Sequence, residues 1–110
     1  MEIIVKFNKD EKKIIKRIAK LFNNYDKEKI SGIELNKKAI DLTWEAQGLD
    51  TEGGEYLYRL AKILENAEMV YGEKLATLVD WLYEFEDYNN PEVIEAIKKE
   101  LNEAVDKLGE

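Results

Sequence analysis

The chain has 110 residues, 45% of them apolar and 37% charged, with 24 acids against 17 bases for a net charge of −7. That length fits a single domain able to bury a core of its own, and the apolar share argues against a disordered chain. With neither cysteine nor histidine, disulfides, thiolate zinc sites, thiol nucleophiles and histidine-based triads are all excluded.

At the N-terminus, Ile3, Val5 and Phe7 alternate with Glu2, Ile4 and Lys6, the period of one short strand. A lone strand is marginal without a partner, so its pairing across a homodimer is one expectation. The same run is too short for a signal sequence, and no later run approaches a membrane span. A cytoplasmic, single helical domain over residues 1–110 with no membrane contact is therefore expected.

Asn8 followed by Glu11 has the form of a capping box, which predicts a helix from about Lys9 to Asn23. Ile14, Ile18, Leu21, Phe22 and Tyr25 would line its inner face, with Lys13, Lys16, Arg17 and Lys20 outside. Asn23 to Asp26 reads as the exit loop. Ser31 followed by Glu34 repeats the cap signature and predicts a second helix from about Gly32 to Gln47, ended by Gly48. Its apolar residues fall on two faces. Leu35, Ala39, Leu42 and Ala46 form one stripe, whereas Ile33, Ile40 and Trp44 lie roughly opposite. Such a helix is either sandwiched within the fold or holds one face out for a partner.

Asp50 to Gly54 reads as a loop with Gly53 and Gly54 as a flexible joint, and a third helix should start near Glu55. It would carry Leu57, Leu60, Ile63, Leu64, Ala67 and Tyr71 inward. One long helix through Gly72 fits the pattern nearly as well as two helices joined there. A lone interior glycine costs only ~1 kcal/mol relative to alanine and does not decide between them. Residues 74–88 have the widest apolar arc, about 240° on a helical wheel, so this segment is expected to be either the central helix or part of an oligomer interface. Asn90-Pro91 is an N-cap and N1 pair. It opens a final amphipathic helix that runs to about Leu108 on Ile94, Ile97, Leu101, Ala104, Val105 and Leu108. The fold expected is all-α, four to five helices in a small bundle, with the N-terminal strand as an option.

Catalytic material is scarce. Ser31 is the lone serine and is explained as a cap, and Gly53-Gly54 lacks the Lys-Ser/Thr of a phosphate cradle. Glu52 with Glu55, Glu65 with Glu68, and Glu84 with Asp87 each place two acids one helical turn apart. In this the chain resembles the all-α nucleotide pyrophosphohydrolases, which hold magnesium on such pairs and would imply a metal-dependent hydrolase. In that family the acids face the bundle interior, whereas Glu65, Glu84 and Asp87 are expected to face outward. No catalytic residue, metal or cofactor is assigned.

The first 45 residues resemble a ribbon-helix-helix DNA-binding dimer. The likeness lies in a short strand, a capped helix, and a Ser-capped helix reading Ser31-Gly-Ile-Glu-Leu-Asn-Lys-Lys-Ala-Ile40. It implies a dimeric regulator or antitoxin with its basic third on DNA. Two departures count against it: Glu2 falls on the strand face that would meet bases, and the interval from Phe7 to Ser31 is about one helical turn too long.

Charge placement points elsewhere. Residues 1–31 hold nine bases and five acids, and residues 32–110 eight bases and nineteen acids. Between Lys38 and Arg59 there are five acids and no base; between Lys74 and Lys98 there are six and no base, interleaved with Trp81, Tyr83, Phe85 and Tyr88. These stretches are either a solvated face above an aromatic core or a surface for a basic partner protein. In size and charge the chain resembles small inhibitors that mimic nucleic acid and occupy basic grooves, anti-CRISPR proteins among them. The expectation is a non-enzymatic inhibitor or regulator that does not bind nucleic acid directly. Its partner-binding residues would be Ile40, Trp44, Asp80, Glu84, Asp87 and Tyr88.

Overall fold

Asn8 opens the first helix as its sequence predicts. Its side chain accepts a 2.8 Å hydrogen bond from the Glu11 amide, and the Glu11 carboxylate accepts one of 2.8 Å from the Asn8 amide. This reciprocal pair satisfies two amides that no helical carbonyl can reach. The computed structural model describes residues 6–66, 75–84 and 90–108. Among them are five helices and no strand: α1 (Lys9–Asp26), α2 (Gly32–Gly48), α3 (Glu52–Leu64), α4 (Leu75–Glu84) and α5 (Pro91–Leu108). The proposed strand falls mostly on residues 1–5, and the choice at Gly72 on residues 67–74; both lie outside the described residues. Phe7 is described, and it is buried in the core.

The starts of α2 and α5 also match their sequence signals. Ser31 caps α2 through the Glu34 amide, and Asn90 caps α5 through the Val93 amide. At the far end, α1 continues through Asn23 and Asn24 to Asp26, past the loop that the asparagines suggest. It stops where Glu28 takes a left-handed conformation, φ 59°. The Lys29 amide then bonds the Asn24 carbonyl and the Glu28 amide bonds the Tyr25 carbonyl, the Schellman pattern with glutamate in the usual glycine position. Helix α2 also outlasts its expected end. Gly48 is its last helical residue, and the left-handed residue is Asp50, φ 50°.

The third helix starts earlier than predicted. Thr51 caps it by accepting from the Gly54 amide at 2.9 Å, so Gly53 and Gly54 form its first turn and are not a flexible joint. Close packing explains both glycines. A Cβ on Gly53 would lie 2.4 Å from a Glu11 carboxylate oxygen, and one on Gly54 would lie 2.8 Å from the Thr51 hydroxyl.

Helix α3 packs against all four other helices, and Leu57, Leu60, Ala61 and Leu64 are wholly buried. It thus takes the central place that the sequence offers to residues 74–88. Leu78, Val79 and Leu82 of α4 are nevertheless in the core, beside α3 and α5. The wide apolar arc of α4 arises because Trp81 and Tyr83, which are only half-buried and exposed, add to the same wheel. No described helix is long and apolar enough to cross a membrane.

Candidate functional site

Two surfaces hold the sequence-derived candidates, and they lie on different helices. The first is the outward face of α2. The inner stripe of Leu35, Ala39, Leu42 and Ala46 is buried against α1 and α3. The opposite residues Ile33, Ile40 and Trp44 are 66%, 44% and 68% exposed. This second face is therefore exposed and not sandwiched within the fold. Ion pairs flank the face: Glu34 with Lys38 at 3.3 Å along α2, and Glu45 with Arg17 of α1.

The second surface centres on α4 and the start of α5. Asp80 and Glu84 are exposed and one turn apart on α4, while Asp87 and Tyr88 lie outside the described residues. Tyr83 donates a 3.1 Å hydrogen bond to Glu95 of α5, which ties the two helices across the acidic face. Its phenol pKa is raised above the ordinary 10.0 by burial first, then by the hydrogen bond to Glu95 and the charges of Glu95 and Asp80. Among the described residues, Asp80, Glu84, Glu92 and Glu95 form no ion pair.

The sequence gives no hint that its two acidic runs approach each other. Asn90, the α5 cap, donates to Glu52 at 3.4 Å and so brings the start of α3 beside the start of α5. At that end the Tyr56 phenol is also raised, by burial and then by Glu52 and Glu55. Helices α2 and α4 share no extensive packing, whereas α3 packs against both. Ile40 and Trp44 therefore belong to one surface, and Asp80 and Glu84 to another.

For the acid pairs, Glu52, Glu55 and Glu84 are exposed, and Glu65 sits 3.8 Å from Lys62. Among the described residues no group of three side chains is placed to hold a metal. Compared with known proteins, the chain matches no family model, no curated protein and no solved structure.

Proposed function

We propose that this chain is a non-enzymatic protein-binding module, a small inhibitor or regulator that engages a basic surface of another protein. The described part of the contact face comprises Asp80, Tyr83 and Glu84 of α4 with Glu92 and Glu95 of α5; Asp87 and Tyr88, which follow α4 in the sequence, are proposed with it. What carries the reading is that four of these carboxylates are exposed and lack any described cationic partner, around a tyrosine that is itself 39% exposed. Carboxylates left without local cations project their field into solvent, where it steers a cationic partner and repels nucleic acid. An exposed aromatic amid them adds apolar area for the docked state. Proximity of Glu52 to the α5 start enlarges the negative region.

The test is affinity capture from source cells with the wild-type chain and with Asp80→Lys/Glu84→Lys/Asp87→Lys in parallel. A specific partner should be retained by the first and lost by the second, with the helical spectrum unchanged. Retention should weaken with added salt, because the screening length falls to ~8 Å at about 0.15 M. A duplex-DNA titration is the counter-experiment. Tight duplex binding lost on replacing Lys6, Lys13 and Lys16 would replace this reading with the ribbon-helix-helix one.

A further inference from the structure

We infer that the outward face of α2 is a self-association surface on which two copies of this chain pair antiparallel about a twofold axis. The inference is independent of the acidic face, which lies on α4 and α5.

Spacing supplies the seam. Ile33, Lys37, Ile40, Trp44 and Gln47 follow one another at intervals of four, three, four and three, the alternation that lets two helices pack along their length. All five are exposed. The three apolar members are among the most exposed large apolar side chains described in the chain.

Charge selects the occupant. Two copies of a chain of net charge −7 repel each other overall, so a face without net charge favours self-association. The edge of α2 next to α1 is one: Glu34, Asp41 and Glu45 stand beside Arg17, Lys20 and Lys38, and a shallow cleft brings Arg17, Lys20, Lys38 and Asp41 together. A strongly basic or strongly acidic partner would gain nothing there. The order of charges along the helix then sets the direction. With a twofold axis between Lys38 and Ala39, Ile33 meets Trp44 of the second copy, and the stem of Lys37 meets Ile40. The ammonium of Lys37 is left beside Asp41 of the second copy. Each contact occurs twice, as an isologous interface requires. A parallel pair would instead set Lys37 against Lys37.

The area is modest. A stable interface takes about 800 Å² per partner, roughly a tenth of the 7064 Å² surface of the chain. A helix of 17 residues is about 25 Å long and covers this only with its flanks. The dimer is accordingly weak, with a Kd on the order of micromolar to tens of micromolar.

Sedimentation equilibrium of the full chain from about one to several hundred micromolar, spanning that Kd range, tests the inference. The wild type should follow a monomer–dimer equilibrium. Trp44→Ala should raise the Kd about tenfold or more, as loss of an aromatic anchor does, with the helical spectrum unchanged. Lys37→Glu and Asp41→Lys should each weaken the dimer, and the double variant Lys37→Glu/Asp41→Lys should restore it, because the swap re-creates both cross-dimer pairs. A wild type monomeric throughout this range overturns the inference, as does a dimer indifferent to Trp44→Ala. Failure of the double variant to recover what the single ones lose overturns the antiparallel pairing.

Discussion

The carboxylate of Glu11 joins the starts of two helices: it accepts from the Asn8 amide of α1 and, at 2.7 Å, from the hydroxyl of Thr51, which lies forty residues on and caps α3. Glu11 is only 4% exposed, and its desolvation is offset by these hydrogen bonds and by its place at the N-terminal ends of two helices. Thr51 in turn accepts from the Gly54 amide, which completes a chain from one helix cap to the other. The arrangement fixes the register of α3 against α1 at the end of the bundle where the acidic α3 start also lies.

Removing Glu11 should cost more than an ordinary cap. Glu11→Ala is expected to lose ~2 kcal/mol, from the capping box plus an orphaned Thr51 hydroxyl. Thr51→Val should lose about 1 kcal/mol, the scale of one N-cap. Because the residues share a bond, the double variant should lose less than the sum. Urea unfolding of the four proteins measures this coupling, and strict additivity would show that the bond contributes nothing.

Two glycines should respond oppositely to alanine. A Cβ on Gly48 meets nothing within 4 Å, so Gly48→Ala should stabilise the chain by about 0.5–1 kcal/mol. At Gly53 the new methyl would displace the Glu11 carboxylate from its hydrogen bonds, and Gly53→Ala should destabilise by roughly 1–3 kcal/mol. Thermal melts that move in the same direction for both would contradict the packing described for α3.

This contrast also explains what was legible in the sequence. Asn8, Ser31 and Asn90 announce helix starts because an N-cap acts on amides two or three residues away, within reach of a short motif. The ends of α1 and α2 were hidden because Glu28 and Asp50 adopt a conformation that sequence habit reserves for glycine. Gly53 and Gly54 suggested a joint because their true constraint, the Glu11 carboxylate and the Thr51 hydroxyl, is tertiary or depends on the helix already being formed. For the candidate surfaces, periodicity alone put Trp44 opposite the Leu35–Ala46 stripe, and the structure agrees. The approach of Glu52 to the α5 start is set by how three helices pack, and no local pattern encodes it.

Core assignments in α4 can be tested in the same way. Leu78 and Leu82 have no exposed surface, so truncation of either to alanine should cost ~2–5 kcal/mol. Trp44→Ala, measured at a concentration where the chain is monomeric, should change stability by less than ~0.5 kcal/mol, as exposed sites do. Comparable losses at Trp44 and Leu82 would place Trp44 in a core contact and remove the outward face of α2.

Tyr83 gives the acidic face a pH signature. Its phenol pKa is raised, by burial first and by Glu95 and Asp80 after it, so the folded chain holds the phenolic proton to higher pH than the unfolded one. Linkage then gives the sign: this contribution is fully present below the ordinary value of 10.0 and is lost as pH rises through the higher folded value. Tyr83→Phe should therefore lose stability less steeply than wild type above about pH 10. Some alkaline dependence should survive in it, because Tyr56 is raised as well. Glu95→Gln should lower the Tyr83 value toward the ordinary one without reaching it, since the amide can still accept the hydrogen bond and burial remains the largest cause. An NMR titration of the tyrosine ring carbons follows each phenol separately. A Tyr83 resonance that titrates at or below pH 10 in the wild type, or one unmoved by Glu95→Gln, would mean that the carboxylates do not converge on this tyrosine, and the acidic face would lose its centre.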